Sequence, residues 1–484
     1  MAIPAEAFFI DRASVVPLQV QLRRQIIAGV TEGRFRPGDR LPSGRALARH
    51  LNVARVTVAL AFAELVSAEC LTSRARSGHF IAERIEARLA APALSPETAR
   101  FDWACHLDGS FARTGRTDRV PDWRRFRFPF VYGQADPELV DHAAWRDCAV
   151  RALGRREFIP LTADLYDEDD PELVDYIIRH ILPRRGIRAR PGEVLLTLGA
   201  QNGLWLAAEI LLGEGRRCVI EDPCYPGLRE ILSQLRAGIA ALPVDAQGLP
   251  PREVPPGVAA VFTTASHQCP TNSTMPLDRR RALLDRASAQ GFAVIEDDYE
   301  FEMSFAGAAS PALKAMDDAG AVIHVGSFSK SVFPGLRLGF MVADSAVIAE
   351  ARALRARVLR HPPGMLQRTL MHFLSLGHYD AQMNRMRRVY AERRRVMEQA
   401  LATEGLRIAA PGATGGSSFW LELPSGADST GLALGLRARD VLVEPGAPFF
   451  AQPERGAPFL RLAYSSIPAG LIPEGIARIA AALR

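Results

Sequence analysis

Short apolar runs alternate with longer helical patterns from about residue 126 to residue 484, and this alternation is the feature that most limits the fold. Residues 218–222, 258–263 and 292–295 have the length of buried strands, and amphipathic stretches separate them. Strands that alternate with helices build largely parallel sheets with helices packed on their faces. The sequence therefore predicts an α/β fold for this part of the chain.

Polar and aromatic residues follow these predicted strands. Tyr225 comes after the first run, residues 266–272 come after the second, and Asp297 and Tyr299 come directly after the third. Open α/β sheets bind their ligands at the carboxyl ends of the strands. We therefore expect these side chains to line one site.

Lysine is scarce in this chain, because 59 residues are basic and only Lys314 and Lys330 are lysines. A lysine amine can lose its proton and form a Schiff base with an aldehyde, whereas a guanidinium stays protonated. Lys330 lies among small hydroxyl residues in 327–331, and Arg337 follows seven residues later. This setting suits an aldehyde cofactor that carries a phosphate. The alternative is that both are ordinary surface lysines, which is our interpretation of Lys314.

The first 83 residues form a basic segment with eleven arginines and seven acids. Apolar spacing predicts helices over 17–33, 44–51 and 54–67, with Ser43 as the N-cap of the second. Residues 71–74 and 79–81 are predicted to pair as a hairpin. This order of helices and strands is typical of a winged helix-turn-helix, and the positive charge suits an anionic polymer.

The motifs at 41–48, 51–58 and 78–81 resemble those of the GntR family of bacterial repressors. The resemblance implies that helix 54–67 enters the major groove, where Arg55 reaches a guanine edge, while the hairpin lies along the minor groove. A solvated basic face with no DNA bound is the alternative. The implied DNA contacts are Arg45, Arg55, Thr57, Arg74, Arg76 and Gly78.

Two residues depart from the GntR pattern. Gly44 stands where an acid is common, and Ala54 stands where a serine would cap the recognition helix. We expect the missing cap to weaken one phosphate contact without changing the fold.

A connector follows the basic segment. Residues 84–125 have no sustained periodicity, and the stretch 90–96 is rich in alanine and proline, as linkers are. We therefore predict a DNA-binding domain over 1–83, a linker over 84–125 and an effector domain over 126–484. The chain shows no signal peptide, no apolar run long enough to span a membrane, and six cysteines without metal-ligand spacing. We expect a cytoplasmic protein with reduced thiols and no bound metal.

The region 126–484 resembles fold-type I enzymes that use pyridoxal 5'-phosphate, the class I aminotransferases in particular. The resemblance implies that Lys330 forms the internal aldimine, that Asp297 pairs with the pyridine nitrogen, and that Arg461 clamps the α-carboxylate of a ligand. It further implies a smaller C-terminal α+β subdomain. The remaining implied cofactor contacts are Tyr225 stacked on the ring, Tyr299 on the 3-oxygen, and Ala200, Gln201, Ser327, Ser329 and Arg337 around the phosphate.

Two departures from these enzymes stand out. Residues 269–272 begin with Cys269 where the enzymes carry an asparagine that bonds the 3-oxygen. One residue separates Asp297 from Tyr299, where the enzymes often have two. Both changes are familiar in another group, the MocR or GabR-like regulators.

A GntR-like DNA-binding domain joined to an aminotransferase-like domain resembles this MocR family over the whole chain. The resemblance implies a homodimeric transcription regulator that binds double-stranded operator DNA. Its effector is expected to be an amino compound that forms an external aldimine in place of Lys330. The sequences at 129–133 and 267–272 are similar to those of regulators of ectoine or taurine catabolism. Two alternatives stay open: an active aminotransferase with a DNA-binding appendage, and a plain repressor whose cofactor pocket is inactive.

Overall fold

The chain forms two compact units, Met1–Gly109 and Ser110–Arg484, in the computed structural model. The residues that the structure describes are 2–74, 77–83, 103, 106–107, 120–305, 310–410 and 415–484. Most of the predicted linker lies outside them, so the boundaries at 83 and 125 remain predictions.

Three helices and an antiparallel hairpin build the amino-terminal unit. Its core is made by the apolar faces of these elements, with Ile26, Leu47, Val58 and Phe62 fully or almost fully buried. Apolar residues three and four apart fall on one helix face, so the predicted spacing produces this core. The elements are α1 (Leu18–Thr31), α2 (Gly44–Leu51), α3 (Arg55–Ser67), β1 (Leu71–Arg74) and β2 (Gly78–Ile81).

The turn between α2 and α3 has the form that a helix-turn-helix needs. The Ser43 hydroxyl accepts a hydrogen bond of 3.1 Å from the Ala46 N–H at the start of α2. Asn52 ends α2 in the left-handed conformation, with φ 52°, which turns the chain sharply. No side chain caps α3 at Ala54. The winged helix-turn-helix prediction is confirmed, including the uncapped recognition helix.

A seven-stranded mixed sheet forms the centre of the large unit. The strand order is β4-β10-β9-β8-β7-β5-β6, and β10 runs antiparallel to its two neighbours while the other pairings are parallel. Its strands are β4 (Val194–Thr197), β5 (Arg217–Asp222), β6 (Gly238–Pro243), β7 (Ala260–Thr263), β8 (Ala293–Asp298), β9 (Val322–Ser327) and β10 (Gly339–Val342).

Helices surround this sheet and bury its apolar strands. Near-continuous burial along β4, β7 and β9 shows that the sheet is covered on both faces, as parallel sheets are. The helices up to the end of β10 are α4 (His142–Ala152), α5 (Arg155–Leu161), α6 (Pro171–Tyr176), α7 (Gly199–Leu211), α8 (Pro226–Gln234) and α9 (Leu277–Gln290). Those that follow are α10 (Ser345–Leu359), α11 (Gly364–Ser375), α12 (His378–Thr403), α13 (Ser429–Arg437) and α14 (Ile472–Leu483).

A smaller antiparallel sheet follows α12 and forms the predicted C-terminal α+β part. Its strand order is β11-β12-β15-β14, and β15 pairs Arg461 with Trp420 on one side and with Glu444 on the other. A short parallel pair, β3 with β13, ties residues 128–129 to this part of the fold. The strands are β3 (Phe128–Pro129), β11 (Arg407–Ala410), β12 (Ser418–Glu422), β13 (Val441–Leu442), β14 (Glu444–Pro445) and β15 (Phe459–Ala463).

The strand order brings the predicted site together. Strands β5, β7, β8 and β9 are adjacent and parallel, so their carboxyl ends lie at one edge of the sheet. Tyr225, Asp297 and Lys330 follow or end three of these strands. Across the described segments, we find no helix with the length and apolarity to cross a bilayer.

Candidate cofactor site and DNA interface

Lys330 lies just beyond β9 in a narrow cleft of about 260 Å³. Gly133, Glu300 and Ser329 line the same cleft. Burial lowers the pKa of Lys330 from 10.5 to about 8, while the negative charge of Glu300 opposes that shift. About a tenth of the amine is therefore neutral near pH 7, far more than for an ordinary lysine, and the neutral amine is the state that attacks an aldehyde.

The approach to Lys330 is shaped by a glycine and an aromatic ring. The Lys330 Nζ atom lies 4.5 Å from the centroid of the Tyr132 ring. Gly133 has φ +77°, and a Cβ atom built there would lie 2.4 Å from the same Nζ. The positive φ favours glycine here, and any larger residue would also displace the end of the Lys330 side chain.

Asp297 is a buried carboxylate with one oxygen unsatisfied by the described residues. Asp297 is the penultimate residue of β8, and 9% of its surface is exposed. Its Oδ1 atom has no hydrogen-bond partner among the described residues. Burial raises the pKa of Asp297 from 3.8 to about 8, and the charges of Asp298 and Glu221 add to the rise. A cation beside this carboxyl would satisfy it and return it to the ionised form.

Glu221 lies in the same part of the site but is fully engaged. It lines a second cleft of about 270 Å³ together with Asp297 and Tyr225. Its oxygens accept hydrogen bonds of 2.6 Å from the hydroxyls of Thr263 and Thr264. Of the two carboxylates, Asp297 is therefore the one left to hold a ligand.

The start of α7 has the features of an anion site. Gly199 opens the helix with φ +76°, and a Cβ atom there would lie 3.3 Å from the Arg337 guanidinium. Ala200 and Gln201 contribute backbone N–H groups of the first turn, which have no partner inside the helix. Across the cleft, the buried Ser329 hydroxyl has no partner within the described chain, and the Ser327 hydroxyl accepts the Ser329 N–H at 3.1 Å.

Two tyrosines complete the predicted ring site. Tyr225 precedes α8 and lines the cleft beside Asp297, where a flat ring can stack on it. The Tyr299 hydroxyl donates a hydrogen bond of 3.0 Å to the His267 carbonyl. Burial raises the pKa of the neighbouring Cys269 thiol to about 12, so this residue stays neutral where related enzymes carry an asparagine.

Arg461 is already paired with a carboxylate. Its Nε and Nη2 atoms lie 3.0 and 3.1 Å from the two oxygens of Glu444. Its guanidinium carbon lies 4.2 Å from the centroid of the Tyr132 ring and 4.5 Å from that of Phe449. The sequence prediction found Arg461 but missed Glu444.

Three acidic residues of the site escaped the sequence analysis: Glu221, Glu300 and Glu444. Glu300 is buried, its Oε1 atom accepts from Ser417, and its Oε2 atom has no partner in the described structure. The sequence carried one usable signal, since Glu221 lies at the end of one predicted strand and Glu300 follows another within five residues. Glu444 precedes a Pro-Gly pair and had no such signal.

Lys314 is not the free surface lysine that we predicted. Its ammonium lies 3.2 Å from Asp317, and its side chain is largely buried. Its backbone N–H and that of Leu313 also bind the buried carboxylate of Glu296. This long-range contact holds the segment against the sheet, which local sequence does not reveal. Within the described chain, His, Cys, Asp and Glu side chains form no group of three or more that could hold a metal ion.

The predicted DNA-contacting residues lie on exposed parts of the amino-terminal unit. Arg45 and Arg55 are exposed, and Thr57 is half-buried near the start of α3. Arg74 on the hairpin is exposed and packs on the Phe80 ring at 4.8 Å. Gly78 adopts φ +101°, which requires a glycine in the wing turn. Arg76 lies outside the described residues.

The recognition helix also exposes apolar residues that sequence analysis missed. Val56 is 62% exposed and Leu60 is 48% exposed, both on the outer face of α3 beside Arg55. Apolar side chains that enter a major groove contact thymine methyl groups, which is a chemistry that these two residues could supply beside Arg55.

Pyridoxal 5'-phosphate fits these residues. The partnerless Asp297 carboxyl suits its pyridinium nitrogen, and the unpaired Ser329 hydroxyl with the α7 start suits its phosphate. The weakly basic amine of Lys330 suits its aldehyde. Lys330 and Ser329 line one cleft and Asp297 lines the second, and the charge of Lys330 acts on the Asp297 carboxyl.

Comparisons with known proteins agree with both halves of the chain. The profile of aminotransferase class I and II matches residues 163–479, and that of the bacterial regulatory proteins of the gntR family matches residues 18–81. The HTH-type transcriptional regulator TauR of Rhodobacter capsulatus is 57% identical over 485 residues and covers 100% of both chains. The probable rhizopine catabolism regulatory protein MocR of Rhizobium meliloti is 30% identical over 401 residues, covering 80% of this chain and 78% of its own.

Solved structures similar to the large unit are aminotransferases. LysN of Thermus thermophilus, an α-aminoadipate aminotransferase, has a TM-score of 0.69 and 28% identity, covering 79% of this chain and 98% of its own. The kynurenine aminotransferase of Pyrococcus horikoshii has a TM-score of 0.68 and 25% identity, covering 75% of this chain and 94% of its own.

A winged helix-turn-helix joined to a fold-type I aminotransferase fold defines a transcription regulator built on an enzyme scaffold, with pyridoxal 5'-phosphate as its cofactor. Within that class, the chain belongs to the MocR-like regulators of the GntR family.

Proposed function

We propose that this regulator senses a small amino compound at Lys330 and reports its presence to the DNA-binding unit. Two observations carry the proposal. The buried amine of Lys330 is weakly basic, and the buried Asp297 carboxyl at the same edge of the sheet has an Oδ1 atom without a partner among the described residues. Pyridoxal phosphate supplies an aldehyde that condenses reversibly with a primary amine. The amine of Lys330 and that of the effector compete for the same carbon.

The other site residues have supporting roles in this proposal. Asp297 holds the pyridinium, Tyr225 stacks on the ring, and Tyr299 faces the 3-oxygen. The phosphate is held by Ala200, Gln201, Ser327, Ser329 and Arg337, and it anchors the cofactor while Lys330 is released. Arg461 receives the acid group of the effector.

The arrangement on DNA is also part of the proposal. Arg55 reads a base edge, Arg45 and Thr57 hold phosphates, and the wing with Arg74, Arg76 and Gly78 follows the minor groove. Fold-type I sites are built at a dimer interface, so we propose a cytoplasmic homodimer that reads paired half-sites. Residues 84–125 link the two domains. An effector shifts the regulator only if it binds the two arrangements of the domains with different affinity.

We further propose that the effector is taurine and that the controlled genes serve its catabolism. The similarity to TauR over the whole chain supports taurine over a diamino acid derived from ectoine. A sulfonate can take the place of a carboxylate at Arg461, because a guanidinium binds both through paired oxygens.

The test follows cofactor absorbance and DNA binding in one titration. Taurine is added to the full-length protein on DNA fragments from genes adjacent to its own. The visible spectrum and the DNA affinity should change together over the same concentration range. Lys330→Ala should abolish both changes and leave basal DNA affinity intact, whereas the matched control Lys314→Ala should behave like the wild type. A DNA response that persists in Lys330→Ala contradicts the proposal.

The same titration separates the regulator from an active aminotransferase. Relatives include a 2-aminoadipate transaminase of Thermus thermophilus, 33% identical over 369 residues, which keeps this alternative testable. When an amino donor and a 2-oxo acid are both present, a sensor should give a spectral change that reaches a plateau, without continued transfer of the amino group to the 2-oxo acid. Sustained amino transfer would favour the enzyme.

A further inference from the structure

Glu444 occupies one edge of the arginine that is proposed to receive the effector. The two residues are direct cross-strand partners on β14 and β15. The contact is side-on and bidentate, with Arg461 Nε and Nη2 at 3.0 and 3.1 Å from the Glu444 oxygens. The Glu444 Oε2 atom also accepts the Tyr132 N–H at 3.0 Å. Three donors on two chain segments therefore fix this carboxylate.

Glu444 leaves only part of the Arg461 guanidinium for a ligand to bind. A guanidinium has five N–H groups, and two of them point at Glu444. Nη1 lies 3.8 Å from the Cys269 sulfur, which is a weak contact. The rings of Tyr132 and Phe449 lie over the plane of the group. The end formed by Nη1 and Nη2 is the edge that can still bind a pair of oxygens.

This edge is close to Lys330. The Lys330 Nζ atom and the Arg461 guanidinium carbon lie 4.5 and 4.2 Å from the centroid of the same Tyr132 ring. Those distances put the Lys330 Nζ atom and the Arg461 guanidinium carbon no more than about 9 Å apart, so a ligand whose amine replaces that of Lys330 must span up to that distance to reach Arg461. Its acid group would arrive beside a guanidinium whose charge Glu444 already balances.

We propose that Glu444 determines the effector specificity of the site, because it limits Arg461 to end-on binding of one monovalent acid group and rejects ligands with a second acid. The inference rests on the proposed function of Lys330 and Arg461. Two like charges on one guanidinium repel each other, and the protein interior screens them less than water does. Glu444 thus lowers the affinity for every amine that carries an acid group, and most strongly for ligands with two acid groups.

A purely structural role predicts the opposite sign. If Glu444 only orients Arg461, its loss should loosen the guanidinium and weaken the binding of acid-bearing ligands. If Glu444 sets specificity, its neutral isostere should strengthen that binding. Glu444→Gln keeps the length of the side chain and one oxygen for the Tyr132 N–H, so it separates the two roles.

The experiment compares the wild-type holoprotein with Glu444→Gln by calorimetric and absorbance titration. The probes are taurine and β-alanine with one acid group, aspartate with two, and ethanolamine with none. We expect Glu444→Gln to bind taurine and β-alanine about tenfold more tightly or better, to gain more for aspartate, and to leave ethanolamine within about twofold. Glu444→Asp, which restores the charge, should return the wild-type order.

Two results would overturn the inference in distinguishable ways. Weaker binding of taurine and β-alanine to Glu444→Gln, or equal affinities in both proteins, refutes the specificity role while the amine site stands. If none of the four amines changes the spectrum of the wild type, the proposed sensing function fails and this inference fails with it. Intact DNA binding and cofactor absorbance in both variants confirm that each protein is folded.

Discussion

Replacing Asp297 with asparagine should stabilise the protein without its cofactor and weaken the protein's hold on the cofactor. In the cofactor-free protein, Asp297 is buried with its Oδ1 atom unpaired, and burial raises its pKa from 3.8 to about 8. The folded state therefore keeps the proton over a pH range in which the unfolded chain has released it. Folding is penalised over that range, because the unfolded chain can ionise and the folded one cannot.

The size of the penalty follows from the width of that range. One unit of pKa difference corresponds to about 1.4 kcal/mol. The penalty is absent below about pH 4, grows as pH rises, and levels off above about pH 8. Near pH 7 it reaches roughly 4 kcal/mol. An asparagine side chain cannot ionise, so Asp297→Asn should regain this free energy.

Urea unfolding of the two cofactor-free proteins, followed by tryptophan fluorescence, measures the difference. Four of the five tryptophans of the chain, from Trp123 onward, lie in the large unit, so the signal reports mainly on that unit. The free energy of unfolding should differ by little near pH 4 and by roughly 4 kcal/mol near pH 7, in favour of the variant. Parallel stabilities across that range would refute the argument that Asp297 is held uncharged. With pyridoxal phosphate bound the order should reverse, because asparagine cannot pair with a pyridinium charge.

Further predictions concern the amine and the DNA surface. Gly133→Ala should reduce cofactor absorbance, since its φ of +77° strains an alanine and the new Cβ, 2.4 Å from Lys330 Nζ, would displace that atom; normal cofactor loading would contradict the tight approach. Glu300→Gln removes the charge that supports the Lys330 ammonium, so the pH at which cofactor capture is half-maximal should fall below about 8; an unchanged midpoint would show that Glu300 does not act on the amine. Arg55→Ala should cost about 1–3 kcal/mol of operator affinity in a gel-shift titration, while the exposed Arg34→Ala, outside the recognition helix, should cost little; equal losses would disprove a specific contact by Arg55.

The amino-terminal unit could be predicted almost to the residue because its information is local. Apolar spacing defined its helices, the Ser43 cap set the start of α2, and Gly78 marked the wing turn. The same holds for the strand ends of the large unit, since a motif that follows an apolar run stays near the end of its strand. This explains why Asp297 and Lys330 could be placed near strand ends from the sequence, while their roles toward the cofactor stay predictions.

The acidic environment of the site could not be predicted because it depends on contacts between distant segments. Glu444 reaches Arg461 through strand register across 17 positions, and it reaches Tyr132 across 312. Lys314 was interpreted as an ordinary surface residue because the contact of its backbone with Glu296 of β8 is not visible in the local sequence. Hydrophobic periodicity predicts the helices and strands, but these ion pairs and hydrogen bonds depend on how the strands assemble into sheets.

The most direct test of the account is reduction of the holoprotein with borohydride followed by peptide mass spectrometry. The chain has two lysines, so the result can be assigned without ambiguity. We predict a phosphopyridoxyl adduct on Lys330 and none on Lys314, and we predict that taurine added before reduction removes the Lys330 adduct. An adduct on Lys314 instead, or an adduct on Lys330 that no amine displaces, would contradict the claim that this amine is the sensor.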